Sequence, residues 1–167
     1  MLLIAHRMTD LSFAKLMEIY REGNCSAGYE RYSHETPDTQ LRLAECDFYN
    51  YLNSVFFRQE HSFYAVWVES GEYMAALRLE PYADGMLLCA LETAPNERRK
   101  GYASLLMLAV REYLKEYNIS KVYSHVSKKN LVSLSVHQKI GFSVCKEFAR
   151  YSDGSVSNNS YTLALTL

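Results

Sequence analysis

The sequence predicts a single α/β domain, residues 1–167, in which helices cover both faces of a mixed sheet. A chain of 167 residues is long enough to bury one sizeable core, and 49% apolar with 22% charged residues is typical of a globular protein. Apolar residues follow strand and helix periods in turn, and no repeat, low-complexity segment or linker interrupts them. The predicted order of elements is β-α-α-β-β-β-α-β-α-β-β.

The first third of the chain is predicted to be mainly helical. Residues 2–6 form a short apolar strand, and a helix capped by Thr9 or Asp10 follows to about residue 22. The polar, glycine-bearing residues 23–36 are predicted to form a loop, with some helix within it as the alternative. A second helix begins at Asp38 and ends near residue 58, with apolar residues at helical spacing.

The rest of the chain is predicted to alternate between strands and helices. Strands are expected at residues 61–69, 72–80, 86–93, 121–126, 142–151 and 161–167. Gly71 and the pair Asp84-Gly85 mark the turns between the first three of these strands. Helices are expected at 102–118 and 130–139, and Gly141 fits the left-handed position that ends the second one.

Charge and targeting signals exclude several classes of protein. The net charge of −1 favours neither nucleic acid nor an anionic membrane as a partner. Residues 1–7 contain too short an apolar run for a signal peptide, and we expect no membrane-spanning segment.

The four cysteines, Cys25, Cys46, Cys89 and Cys145, show no metal-ligand or redox-motif spacing. Cys89 and Cys145 fall in predicted strands and are interpreted as small buried hydrophobic residues. Reduced thiols are typical of a cytoplasmic protein, and no metal is expected.

A basic glycine turn, Arg98-Arg99-Lys100-Gly101, lies between an apolar strand and a long amphipathic helix. The first amides of a helix have no internal partner and carry partial positive charge from the helix dipole. The basic side chains add to that charge, and Gly101 allows close approach of the backbone. The turn therefore predicts a binding site for a phosphate-bearing cofactor, although such turns are often only exposed helix starts.

The helix predicted at residues 130–139 carries a second polar pattern. Asn130, Ser133 and His137 recur at i, i+3 and i+7, which places all three on one face of the helix. Taken alone, this stripe is equally consistent with a solvated face.

Together the two segments resemble the GNAT family, the GCN5-related N-acetyltransferases. Arg98-x-x-Gly101-x-Ala103 is similar to the family's pyrophosphate motif, Arg/Gln-x-x-Gly-x-Gly/Ala, and Pro95 also matches. The segment Asn130–Phe142 resembles the family's Asn-x-x-Ala-x-x-Leu-Tyr-x-Lys-x-Gly-Phe pattern. The predicted order of elements is similar to the family's topology along the whole chain.

The resemblance implies that acetyl-CoA is the donor and assigns residues to it. The end of the strand at Leu91 to Thr93 would bind the pantetheine and the thioester carbonyl, and Asn130, Ser133 and His137 would line the cofactor groove. Backbone amides would hold the pyrophosphate along the run Arg98, Arg99, Lys100, Gly101, Tyr102, Ala103 and Ser104.

The catalytic groups are less clearly indicated. The family usually has tyrosine where this chain has His137, so His137 is either the general acid or a groove-lining residue. Glu92 would follow Leu88 on one strand face and is the candidate general base; the alternative is an exposed carboxylate that shapes the acceptor pocket. His125 is a weaker rival, more simply interpreted as a packed strand residue.

The acceptor is expected to be a primary amine, either a small molecule or a peptide. Tyr29, Arg31, Tyr32 and His34 lie in the predicted loop after the first helix and are candidate substrate-binding residues; a solvated loop is the alternative. A polyamine, an aminoglycoside, an amino acid and a protein N-terminus all remain open. The 14 tyrosines suggest either an aromatic-lined cleft or ordinary packing.

The sequence therefore predicts an N-acetyltransferase that transfers acetyl directly, since no cysteine lies in the matched motifs. The alternative is a non-catalytic acyl-CoA-binding domain with the same fold. We also expect the segment Tyr161–Leu167 to be an edge strand able to pair between the subunits of a homodimer.

Overall fold

The computed structural model describes residues 1–167 and contains four α-helices and nine strands. The helices are α1 (Phe13–Arg31), α2 (Pro37–Ser54), α3 (Tyr102–Glu116) and α4 (Leu131–Ile140). The strands are β1 (Leu2–Ala5), β2 (Phe63–Glu69), β3 (Glu72–Tyr82), β4 (Gly85–Thr93), β5 (Lys121–Ser127), β6 (Ser143–Lys146), β7 (Ala149–Arg150), β8 (Val156–Ser157) and β9 (Ser160–Thr166).

Seven strands form one mixed sheet in the order β1-β2-β3-β4-β5-β9-β6. Only β4 and β5 pair in parallel, because α3 crosses over between them; every other neighbouring pair is antiparallel. β7 and β8 form a separate two-stranded ribbon. The mixed α/β fold predicted from the sequence is confirmed.

Each face of the sheet buries its own apolar core. Helices α3 and α4 cover one face, where Leu77 of β3 packs in a cluster with Leu106 and Ile140. Helices α1 and α2 cover the other face, where Leu16 and Leu52 pack in a cluster with Tyr64 of β2. Burial on both faces explains why the central strands are nearly continuous apolar runs.

The predicted loop at residues 23–36 is wrong, because α1 continues through most of it to Arg31. The helix begins after Ser12 rather than after Thr9 or Asp10, which belong to a short 3-10 turn. A Cβ added to Gly28 would lie 2.5 Å from the carbonyl oxygen of Gln40. The glycine there permits close contact between α1 and α2 and does not end the helix.

The C-terminal third also differs from the prediction at two places. The single strand expected at 142–151 is divided into β6 and β7, and β9 pairs with both β5 and β6. Tyr161–Leu167 is therefore an interior strand and offers no free edge for a homodimer. The edge strand at this end of the sheet is β6, which explains why Cys145 is exposed and not buried as predicted.

None of the four helices combines the length and the apolar character that a membrane crossing requires.

Candidate functional site

The central feature of the site is the point where β4 and β5 separate. Their parallel pairing begins at Met86 and Val122 and ends at Leu88 and Ser124. Just beyond it β4 contains a bulge, in which Ala90 has a φ of 51°. The buried hydroxyl of Tyr20 donates a hydrogen bond of 2.7 Å to the Ala90 carbonyl oxygen. This bond holds the bulge from the sheet face that α1 covers.

A cleft of about 450 Å³ occupies the gap between the two separated strands. Leu91, Asn130, Ser133 and His137 line it on the side of α4. Residues of β3, α2 and the 149–152 segment also line it, including Arg78, Glu80, Tyr51, Tyr82 and Tyr151, with His125 of β5. The cleft is therefore lined by helices from both faces of the sheet, which leaves room for a separate reactant on each side.

The basic turn forms a run of unpaired amides at the start of α3. Gly101 is the N-cap residue with a φ of 88°, and Arg99 also has a positive φ, of 66°. No backbone amide from Arg98 to Ser104 donates a hydrogen bond to another protein group. Such a concave row of N–H groups suits a phosphate or pyrophosphate group. The residues present therefore fit coenzyme A.

Two of the basic side chains in this turn already have acidic partners. Arg98 lies 2.7 Å from a carboxylate oxygen of Glu22, and Lys100 lies 2.7 Å from one of Glu97. Arg99 forms no ion pair within the protein. The amides and Arg99 are thus the groups most available to an anion.

Helix α4 is capped by one of its predicted cofactor-binding residues. The Asn130 side-chain oxygen accepts a hydrogen bond of 3.0 Å from the Ser133 amide. The capping interaction leaves the Asn130 side-chain NH₂ group unused and oriented by the helix. Asn130, Ser133 and His137 all line the cleft, and their role in binding the cofactor stays a prediction.

His137 is almost completely buried, with 1% of its surface exposed. Its Nδ1 lies 2.8 Å from the Ser133 carbonyl oxygen, and its Nε2 lies 3.0 Å from the Ser124 hydroxyl. A carbonyl only accepts, so Nδ1 carries the proton of the neutral ring and Nε2 accepts from Ser124. Burial lowers the pKa of His137, so the ring is neutral at pH 7. This geometry supports the groove-lining alternative, because neither nitrogen has a proton free to donate.

Glu92 lies on the opposite face of β4 from the one predicted. Arg78 pairs with Cys89 and Ala76 pairs with Glu92, so two residues of β4 face one residue of β3 between these pairs. The bulge shifts the alternation by one residue and turns Glu92 toward α1. There it lines a smaller pocket of about 190 Å³ with Tyr20 and Arg98, and it does not contact the cleft that contains His137.

The environment of Glu92 is still unusual for a carboxylate. Desolvation raises the pKa of Glu92 above its ordinary value, while the nearby Arg98 guanidinium acts in the opposite direction. A raised pKa suits a proton acceptor. Its role as the base stays a prediction.

His125 lines the main cleft, and both of its ring nitrogens are buried. Its ring lies edge-on to Tyr82 and Tyr151, with centroids 5.4 and 5.3 Å away, and neither ring nitrogen has a hydrogen-bond partner. Burial, together with the charge of Lys146, lowers the pKa of His125, which favours the neutral ring. The alternation of β5 provides a signal in the sequence, because His125 falls on the face opposite Val122 and Val126.

Arg78 is a cleft residue that sequence reasoning missed. Its guanidinium carbon lies 4.8 Å from the centre of the Tyr51 ring, and its Nε is buried without a hydrogen-bond partner. The sequence does carry a signal for it, an arginine inside the apolar run of β3. A charge in such a run needs a ligand or a partner.

The four predicted substrate-binding residues do not line the cleft. Tyr29 is 70% exposed and His34 is exposed on the loop after α1. Arg31 and Tyr32 both bind Asp47 of α2, at 3.2 and 2.6 Å, and this hydrogen bond raises the pKa of Tyr32. These contacts join α1 to α2, and the structure gives none of the four residues a contact with the cleft.

Comparison with solved structures finds the same fold in several acetyltransferases. The ribosomal-protein-S18-alanine N-acetyltransferase of Escherichia coli is 16% identical, with 99% of this chain and 94% of that chain aligned and a TM-score of 0.65. The PaiA N-acetyltransferase of Thermoplasma acidophilum, solved with coenzyme A, is 16% identical over 100% and 99% of the two chains, with a TM-score of 0.63.

An N-acetyltransferase from Staphylococcus aureus Mu50 is also 16% identical, over 99% and 98% of the chains, with a TM-score of 0.61. No curated protein matches the sequence. The profile of the "Acetyltransferase (GNAT) family" matches residues 15–142, which is most of the chain and includes α3, α4 and the cleft between β4 and β5. With the unpaired amides at the start of α3 and the separation of β4 from β5, this match shows that the chain belongs to the GNAT family of acetyltransferases.

Proposed function

We propose that this protein transfers an acetyl group from acetyl-CoA directly to a primary amine bound in the cleft between β4 and β5. The observation that carries this proposal is the unpaired amide run from Arg98 to Ser104, which directly follows the strand whose end opens the cleft. Acetyl-CoA supplies the activated acetyl thioester. The chain supplies the groups that bind the two reactants and accept a proton.

On the donor side, positioning comes mainly from the backbone. The amides at the start of α3 hold the pyrophosphate, with Arg99 adding charge. The Leu91–Thr93 end of β4 lies beyond the last pair with β5, so its polar groups on that side can bind the pantetheine arm. The free NH₂ group of Asn130 contacts the same arm. Fixing both reactants in this way lowers the entropic part of the barrier.

The reaction forms a bond between the amine nitrogen and the acetyl carbon and breaks the bond from that carbon to sulfur. One proton leaves the amine and one is taken up by the thiolate. His125 is the group in the cleft best suited to accept the amine proton, because its ring is neutral and neither of its buried nitrogens is bonded within the protein. Glu92, acting from the α1 side through water, is the second candidate.

Two variants distinguish the candidate bases. His125→Phe removes the imidazole and keeps an aromatic ring that can pack against Tyr82, whereas Glu92→Gln removes only the charge. The acetylated amine is quantified by mass spectrometry, since exposed Cys25, Cys46 and Cys145 would react with thiol reagents. Loss of the acidic limb of the pH profile in one variant and not in the other identifies the base.

The same assay tests the catalytic proposal as a whole. An amine panel should yield at least one acetylated product in the presence of acetyl-CoA. Binding of acetyl-CoA without product from any amine would instead support an acyl-CoA-binding domain. That alternative has one observation in its favour, the absence of a free proton on His137.

We also propose that the protein works in the cytoplasm. All four cysteines are free, and three of them are exposed, which suits a reducing compartment. Cell fractionation with an antibody against the protein tests this location, and recovery outside the cytoplasmic fraction would contradict it.

A further inference from the structure

Arg78 is a charged side chain that lacks an acidic partner inside the protein. None of the ten ion pairs of the structure includes it, and its buried Nε has no hydrogen-bond partner. Leaving a buried cation without a hydrogen-bonded anion is costly, so such a residue is unexpected in a strand that serves only the core.

Two aromatic rings hold the guanidinium in a defined position. Its central carbon lies 4.8 Å from the centre of the Tyr51 ring and 5.7 Å from that of Phe56. Cation–π contacts of this kind stabilise the charge and fix the plane of the side chain without using its N–H donors. The Nε is buried, whereas the two terminal nitrogens make no hydrogen bond within the protein and can form the two parallel hydrogen bonds with which arginine binds a carboxylate.

Arg78 also lies near the point at which transfer is proposed. It is paired with Cys89 across the sheet, and Leu91 is two residues farther along β4. At about 3.3 Å per residue, this separation along the strand is roughly 7 Å or less because of the bulge. Because this is a separation along the backbone, the long arginine side chain can cover part of it, so that the carboxylate and the amine of one small molecule can lie between the two points.

Glu80 limits the charge of the molecule that the cleft can accept. It lies on β3 two residues from Arg78, lines the same cleft and forms no ion pair. A polyamine would meet the Arg78 cation, and a dicarboxylate or phosphorylated compound would meet the Glu80 anion. One positive and one negative group side by side suit a zwitterion.

The geometry points to a small amino acid as the acetyl acceptor, with its carboxylate bound by the terminal nitrogens of Arg78 and its amine directed toward His125. This inference rests on the proposed acetyl transfer and names the substrate class of the same site. It makes Arg78 a specificity-determining residue.

The test compares acceptors that differ only at the carboxylate. Free amino acids, their amides and a carboxylate-free amine of equal length are each incubated with acetyl-CoA, and kcat/KM is measured from the acetylated product. Hydrogen bonds to a charged group predict that the wild-type protein favours the free acid over its amide by roughly 10- to 100-fold.

Substitutions of Arg78 then assign that preference to the side chain. Arg78→Met keeps the length and the apolar stem, and it should abolish the preference by lowering kcat/KM for the acid while leaving that for the amide unchanged. Arg78→Lys keeps the charge without the planar fork and should retain only part of the preference. Arg21→Met, on an exposed position of α1 outside the cleft, is the matched control and should behave like the wild type.

The outcomes separate this inference from the function on which it rests. Equal or faster acetylation of amides and simple amines would overturn the role of Arg78 and leave acetyl transfer intact. Absence of any product, with acetyl-CoA bound, would overturn both. If Arg78→Met does not fold, the comparison of acid and amide on the wild-type protein, together with Arg78→Lys, decides the question.

Discussion

The donor side and the acceptor side of the cleft are built in different ways. The proposed donor side consists of two short segments, the turn from Arg98 to Ser104 and the capped start of α4, and it would act largely through backbone amides. The acceptor side is assembled from separate elements, with Arg78 from β3, Tyr51 from α2 and His125 from β5. Binding of the donor should therefore depend on local backbone geometry. Selection of the acceptor should depend on how side chains that are far apart in the sequence pack around the cleft.

The same contrast separates the two histidines that contact the cleft. His137 on the donor side has both ring nitrogens bonded to its own neighbours, whereas His125 on the acceptor side has neither bonded. A ring whose donors and acceptors are all occupied holds structure together. A ring with unbonded nitrogens can still accept a proton, so substitution of His125 should mainly lower the rate of transfer, and substitution of His137 should mainly lower the stability.

The largest effect is expected from His125→Phe. If His125 accepts the amine proton, kcat/KM should fall by roughly 10²- to 10⁴-fold, with little change in KM for acetyl-CoA. The pKa of His125 lies below its ordinary value, so the wild-type acidic limb should fall below about pH 6.5, where the ring gains its proton. If kcat/KM and the acidic limb of the pH profile are both unchanged in His125→Phe, Glu92 becomes the candidate base.

Gly101→Val should weaken the donor side alone. The φ of 88° is unfavourable for a β-branched residue, whereas an added Cβ would contact nothing within 4 Å, so the effect comes from the backbone. We expect KM for acetyl-CoA to rise roughly 10-fold, with KM for the amine unchanged.

Gly71→Val provides the matched control for that variant. Gly71 has a φ of 82° and the same open surroundings but lies in the turn between β2 and β3. Gly71→Val should lower the free energy of unfolding about as much as Gly101→Val does, without a change in KM for acetyl-CoA. Equal effects of both variants on that KM would contradict the role of the turn as a pyrophosphate site.

His137→Phe should affect stability more than chemistry. The substitution leaves the buried Ser124 hydroxyl without its partner, which costs about 1–3 kcal/mol in the free energy of unfolding. Urea denaturation measures that loss, and kcat should stay within a few-fold of the wild type. A decrease in kcat of about 10²-fold would instead show that His137 is the general acid.

The smallest effect concerns the pH dependence of stability. Burial lowers the pKa of His137 in the folded protein, so the unfolded chain binds its proton more tightly. The free energy of unfolding should therefore decrease as the pH falls below about 6.5. The decrease should be smaller in His137→Phe, and urea denaturation between pH 7 and 5 measures it. If the free energy of unfolding depends equally on pH in both proteins, other groups cause the decrease.

Local signals allowed much of the donor side to be predicted. Gly101 and Asn130 act within their own turns and caps, so their conformations follow from nearby residues. Glu92 shows the limit of such reasoning. Its face was predicted from strict alternation, and a bulge at Ala90, held by Tyr20 from 70 residues away, reversed it.

The sequence alone determined the order of elements from β1 to α4, the basic glycine turn at the start of α3 and the polar face of α4, because each depends on residues a few positions apart. Only the tertiary structure decided that β9 is an interior strand, that α1 continues past Gly28, and that Arg78 and His125 share the cleft. These features depend on pairing and packing between residues far apart in the chain, which hydrophobic periodicity does not encode.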